Sequence, residues 1–327
     1  MSSSSGPDPG PRLDVAEIEQ AEELVEQRLP REAALGEAKA AAGRKGRGLV
    51  TTMWALPGFV WLGFYMLAPL VFIVLVSFWT RTDFGYDKVW TTSNYTELFN
   101  DSTYWKNMRT SFVTSLIAVT ACLILGFPIA YFLALKVRTL RWQIALFIVA
   151  LAPFWTSFLT RSIAWTYPLM GRQGALNQAL EKLGIIDEPI AALGFSPLSV
   201  RLALVQLYIL FMITPLFFTL AQVDQAALEA ARDLGGNWWR TFREVIVPQA
   251  APGAVIGSIF IFVLTMGDYG TVQVIGGGNV TSVGTVVNSK VGAIQYPQGA
   301  ASAVLLVVVL MIGVFVITRF SKLREEL

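Results

Sequence analysis

Residues 300–317, AASAVLLVVVLMIGVFVI, run without a single charge, and five more stretches carry at most one charge each: 54–78, 111–135, 143–167, 199–220 and 254–276. A helix rises about 1.5 Å per residue, so about 20 apolar residues cross the roughly 30 Å hydrocarbon layer of a bilayer. Lipid offers backbone groups no hydrogen-bond partners, so such runs fold as helices. The fold class expected is an all-α polytopic membrane protein with six transmembrane helices. Composition agrees: the chain is 54% hydrophobic and 15% charged, where a soluble domain has about 25% charged residues.

Several function classes fall away at once. The chain has no histidine, which excludes His-ligated metals, His-dependent nucleophilic catalysis and His proton relays. Cys122 is the only cysteine, so no intrachain disulfide forms. No catalytic residue and no metal site is expected. A net charge of +2 gives no reason to expect a nucleic-acid partner.

Residues 1–50 differ from the rest. MSSSSGPDPGPR is rich in Ser, Gly and Pro, and the stretch after it is charged and ends in Arg44, Lys45 and Arg47. That composition predicts a largely disordered cytosolic extension rather than a cleavable signal peptide. A transmembrane domain is expected over 51–327, with its core about 110–318.

Orientation follows from the basic loops. Lys136, Arg138 and Arg141 join spans two and three; Arg232, Arg240 and Arg243 join four and five; Arg319, Lys322 and Arg324 follow span six. All fall on the side of the basic N-terminal tail, while the other loops are neutral or acidic. Both termini are therefore expected in the cytosol.

This topology puts a 224–248 loop in the cytosol. Asp224 is an acceptable cap for a helix slimmed on one side by Ala226, Ala227, Ala230 and Ala231. Gly235-Gly236 breaks it, Asn237 caps a second piece, and Pro248 is expected to stop that piece. Trp238, Trp239 and Phe242 suit either a lipid interface or a protein contact. On spacing alone the loop is equally an amphipathic connector lying on the membrane surface.

The order Glu229-Ala230-Ala231, Gly235, Val245, Pro248 resembles the "EAA" loop of ATP-binding-cassette (ABC) importer permeases. It lies where that family keeps it, before the next-to-last span. Val245 and Val247 stand where the family more often has Ile and Leu. The segments APFWTSFLTRSIAWTYPLMGRQGALNQALEKLGIID (152–187) and ITPLFFTLAQVDQAALEAARDLGG (213–236) are similar to spermidine/putrescine-type permeases, nearer their first permease subunit than their second. The likeness covers roughly residues 54–320. It implies the type I importer fold with a cytosolic coupling helix, in which Glu229, Ala230, Ala231, Arg232, Asp233, Gly235 and Pro248 couple to an ATPase.

The resemblance also implies partners: two ATPase subunits that bind ATP and Mg, a second permease subunit making a heterodimer, an extracytoplasmic solute-binding protein, and a bacterial inner membrane around them. No cofactor is expected in this chain. A Walker A loop ends in Lys followed by Ser or Thr, and no lysine here is so followed. The cargo implied is a small solute of the polyamine kind. Iron, sulfate, molybdate and other organic cations are carried on the same architecture.

For the path itself, FVLTMGDYGTVQVIGGGN (262–279) interrupts the fifth span with glycines and an acid. Intramembrane acids face protein interiors or water-filled cavities, and broken helices line such cavities. Asp268 and Tyr269 are the leading path candidates, a carboxylate and a ring suited to an ammonium. Arg161, Trp155 and Asn288 are further candidates, and Trp165, Gln206, Tyr208 and Lys290 weaker ones. The alternative is that Asp268 caps the broken helix or pairs with Arg161. An ion-gradient-driven secondary transporter would want inverted repeats and more buried ionisable groups than Asp268 and Arg161.

Overall fold

The computed structural model describes residues 54–82, 85–137, 139–169, 171–224 and 237–325, with side chains to residue 319. The N-terminal extension lies outside the described residues. So does most of the loop expected to couple to an ATPase, including Glu229, Ala230, Ala231, Arg232, Asp233 and Gly235. The chain divides into two units, Met1–Leu70 and Val71–Leu327. In the first, the Trp61 and Tyr65 rings pack at 4.7 Å on one helix face.

Among the described residues five helices are long and apolar enough to span a bilayer: α1 (Trp54–Ser77), α3 (Ser102–Lys136), α7 (Pro197–Leu220), α8 (Trp238–Met266) and α11, whose apolar part is Tyr296–Arg319. The expected third span over 143–167 is not one straight helix. It is a pair, Leu140–Trp155 followed by Phe158–Thr166, bent by 85°. The regular parts are α4 (Leu140–Leu151) and α5 (Phe158–Thr166). Pro153 sits in a 3₁₀ turn at the bend, and Thr156 and Ser157 adopt extended ψ angles that end the ladder. Hydropathy registers composition and is blind to direction, so the run reads as one span.

Residues 80–110, expected to be a loop, hold regular structure. Strands β1 (Trp79–Thr82) and β2 (Gly85–Trp90) form an antiparallel hairpin with an irregular register between Trp79 and Thr80. Helix α2 (Ser93–Asn100) follows. Asp101 then caps α3, its carboxylate accepting from the Thr103 and Tyr104 amides at 2.9 and 3.2 Å. The second apolar helix thus begins at 102 rather than 111, because a cap and a first turn need no hydrophobicity.

A second difference concerns Pro248, which does not stop its helix. The chain runs helical from Trp238 to Met266 through a π-turn at Phe242–Ile246. The wider turn falls just before the proline, where the ladder tolerates a missing N–H. Asn237 caps this helix as expected, accepting from the Arg240 amide at 2.8 Å.

The core is built around α7, which packs against α3 and α8. Leu204, Met212, Leu216 and Leu220 on α7 are completely buried. The backbones of α7 and α8 approach closely at Gly257, where an added Cβ would lie 2.7 Å from Met212 Sδ. Short helices α9 (Gly270–Gly276) and α10 (Val283–Gly292) connect α8 to the last helix, which runs Tyr296–Glu325. Between these two short helices Gly277 caps α9 at φ +56°, a left-handed conformation that favours glycine. Ser282 then starts α10 with a reciprocal capping box to Thr285. Among the described residues α6 (Ala175–Lys182) is the remaining helix, held by Asn177, which donates to the Gly171 and Ile190 carbonyls.

Candidate translocation site at a helix break

The fifth apolar run does not continue to 276. α8 ends at Met266, Gly267 and Asp268 are non-helical, and α9 begins at Gly270. The chain breaks where two glycines flank an acid, and the acid secures the break. Asp268 Oδ1 accepts from the Thr271 amide at 2.9 Å, in the first turn of α9. Its Oδ2 accepts from the Tyr208 hydroxyl of α7 at 3.1 Å, and its backbone carbonyl accepts from the Ser282 hydroxyl at 3.2 Å. One residue thereby ties α7, α9 and the start of α10. Hydrogen bonds of this kind are strengthened in a low-dielectric setting.

Further contacts bring in α5. The Ser162 and Thr271 hydroxyls lie 3.3 Å apart, and Phe158 stacks on Tyr208 with ring centroids 5.9 Å apart. Phe154, Phe211 and Phe260 continue the ring contacts at 5.1 and 6.0 Å. Aromatic rings and hydroxyls therefore both gather about the break.

Among the candidates, Asp268 and Tyr269 fall together at the break but differ in access. Asp268 is 6% exposed, with both carboxylate oxygens occupied, while Tyr269 is 49% exposed. No ion pair joins Asp268 to Arg161 among the described residues. Arg161 instead holds its guanidinium 5.2 Å above the Phe154 ring, and its buried Nε has no partner. Trp155 sits at the α4–α5 bend, 88% exposed, and Asn288 is exposed on α10. Neither is hydrogen-bonded to Asp268. Of the residues expected to couple to an ATPase, only Pro248 is described. No group of three metal-type side chains occurs among the described residues.

Sequence reasoning ranked Tyr208 too low and missed Thr271, Ser282 and Ser162. Hydroxyls scattered through apolar runs carry little hydropathy signal. Only the acid at 268 announces that acceptors need donors nearby.

No family model matches the chain. Curated relatives do. The spermidine/putrescine transport system permease protein PotB of Escherichia coli (strain K12) is 36% identical over 268 residues, covering 81% of this chain and 96% of its own. The protein of the same name from Haemophilus influenzae is 36% identical over 270 residues, covering 82% and 93%. The inner membrane ABC transporter permease protein YdcU of Escherichia coli is 31% identical over 279 residues, covering 81% and 87%. In fold, the chain is similar to a chain in the crystal structure of a bacterial ABC transporter involved in the import of the acidic polysaccharide alginate. The TM-score is 0.63 at 13% identity, over 84% of this chain and 96% of that one. Identity at this level over four-fifths of the sequence, joined to the shared helical fold, means that the chain belongs to the permease subunits of ABC importers, in the group of the spermidine/putrescine transport system permeases.

Proposed function

We propose that this chain forms half of the translocation path of an ATP-driven polyamine importer in a bacterial inner membrane. The observation that carries the cargo reading is the 36% identity to permeases named for spermidine and putrescine, over 81% of the chain. The chain does no ATP chemistry of its own. Two partner ATPase subunits bind ATP and Mg on the cytosolic face, a second permease completes a heterodimer, and an external binding protein delivers cargo. Both termini lie in the cytosol, in keeping with the basic loops.

In this reading the 224–248 segment receives the ATPase's motion, with Glu229, Ala230, Ala231, Arg232, Asp233 and Gly235 at the contact and Pro248 at the entry to α8. Closing of the ATPase dimer turns α7 and α8 together, because they are packed backbone to backbone at Gly257. The break then faces outward to accept cargo and inward to release it. A polyamine ammonium meets the open Tyr269 ring through cation–π attraction, worth about 0.5–2 kcal/mol. Asp268 holds the break in shape behind it, with Arg161, Trp155 and Asn288 further along the path.

The test is uptake of labelled spermidine by cells lacking their own polyamine import, expressing this chain with its partner subunits. Gly235→Asp is expected to stay in the membrane and to lose at least roughly 90% of uptake, an effect of about 1.4 kcal/mol or more on the coupled cycle. Normal uptake by that variant would refute the coupling role. Absence of spermidine uptake in the unmodified complex, with the ATPase still co-purifying, would refute the cargo.

A further inference from the structure

Away from the break, a groove of about 530 Å³ opens beside the last helix. It lies among Val76 of α1, Tyr86 of β2, Val287 and Val291 of α10, and Gly299 and Ala303 of α11. Apart from the hydroxyls of Tyr86 and Tyr296, every side chain lining it is hydrocarbon or aromatic ring. The small residues of α11 make the room, since an added Cβ at Gly299 would already meet Val291 Cγ2 at 3.1 Å. Water has too few polar partners to occupy such a space stably.

The mouth of the groove is aromatic and cationic. Tyr86 stacks on Trp79 at 5.1 Å and meets Tyr296 edge-on at 6.2 Å. Trp and Tyr in such a girdle mark the level of lipid headgroups. Lys88 lies on the same face of the hairpin as Tyr86, with its Nζ 5.7 Å over the Trp79 ring, and Arg81 is the register partner of Tyr86. Lys290 starts from the groove wall, its Cβ 3.6 Å from where a Gly299 Cβ would stand. Carboxylates stand beside these cations as well. Glu97 accepts from Gln298 at 2.6 Å. Asp87 alternates to the opposite face from Tyr86 and Lys88, across from Thr80. Asp83 lies outside the described residues.

We propose that this groove is a binding site for an acidic phospholipid, one acyl chain lying against α10 and α11 and the phosphate held between Lys88 and Lys290. The hydrocarbon walls select a chain, and the cations at headgroup level select the charge. A lysine near the membrane surface favours an anionic headgroup by about fivefold. The bound lipid fills space between the end of α1 and the α10–α11 pair that the described residues of this chain leave open.

The experiment uses the full chain co-purified with its partner subunits and reconstituted with a phosphatidylglycerol carrying a photoreactive group on its acyl chain. The phosphatidylcholine analogue is the comparison, and labelled peptides are mapped. The expected result is labelling concentrated in 283–303, preferring phosphatidylglycerol by roughly 25-fold, about fivefold for each of the two lysines. Ala303→Phe, which fills the groove, removes that labelling. Lys88→Gln with Lys290→Gln keeps the labelling but levels the two lipids. Labelling of Ala303→Phe equal to the unmodified chain would overturn the site. Equal labelling by both lipids in the unmodified chain would overturn the headgroup assignment. If Ala303→Phe fails to assemble, the double lysine variant decides alone, and an unchanged preference there refutes the proposal. Loss of the second permease from the Ala303→Phe complex, with no lipid labelling in the unmodified one, would assign the groove to that subunit instead.

Discussion

Asp268 joins two roles that substitution can separate: an acid in an apolar run, and a set of bonds that hold the chain. Its oxygens are occupied by Tyr208 and by the Thr271 amide, so the asparagine variant keeps an acceptor for the cap while losing the acid. Asp268→Asn is expected to change the KM for spermidine uptake by less than about twofold, a difference below about 0.5 kcal/mol. Asp268→Leu leaves a buried hydroxyl and an amide without acceptors, and is expected to cost about 2–5 kcal/mol in stability of the solubilised complex. Tyr208→Phe, which removes one membrane-embedded bond, is expected to cost about 1 kcal/mol. Uptake kinetics and thermal unfolding in detergent separate these outcomes, and a tenfold rise in KM for the asparagine variant would make Asp268 a direct cargo ligand. The acid was legible in the sequence because it stands out in an apolar run. Its partners were not, because a tyrosine and a serine within apolar helices look like any others until the fold brings them to the carboxylate.

Among the elements, α7 and α8 carry the greatest constraint, and their contact is set by size. At Gly257 an added Cβ would sit 2.7 Å from Met212 Sδ and 3.0 Å from Met212 Cα, so a side chain must push two backbones apart. Gly257→Val is expected to lower the unfolding free energy by about 1–3 kcal/mol and to reduce the yield of folded complex, where Ser258→Ala one position on does neither. Thermal unfolding of the two variants side by side is the check, and equal stability would show the helices free to separate. Hydropathy alone located the apolar runs of α1, α3, α7 and α11 to within several residues. It failed at the α4–α5 bend and at the β1–β2 hairpin for opposite reasons. The bend keeps the composition of a span while losing its direction. The hairpin has a regular backbone but a mixed composition, with Lys88 and Asp87 beside Trp79 and Trp90. In both, geometry rests on a few backbone angles that periodicity does not record.

Across the whole molecule, orientation gives the most direct test. Cys122 is completely buried and donates to the Val205 carbonyl at 3.6 Å, so the native chain offers a low background to a membrane-impermeant thiol reagent. Val89→Cys, on the exposed hairpin, is expected to be labelled in intact spheroplasts. Arg319→Cys is expected to be labelled only after the membrane is opened, as the distribution of basic residues requires. The reverse pattern would invert the topology and remove the coupling loop from the cytosol. The two π-turns, Phe132–Lys136 ending α3 and Phe242–Ile246 near the start of α8, lie at one end of the bundle, where Phe127 meets Phe242 edge-on at 5.6 Å. Each is a place where the regular helical hydrogen-bond spacing gives way to a wider one. If the ATPase pushes beside α8 as proposed, the push meets the wider turn at Phe242–Ile246 before it meets the close glycine contact at Gly257. On that proposal the close packing of α7 and α8 at Gly257 makes the two long helices a single shaft leading to the break.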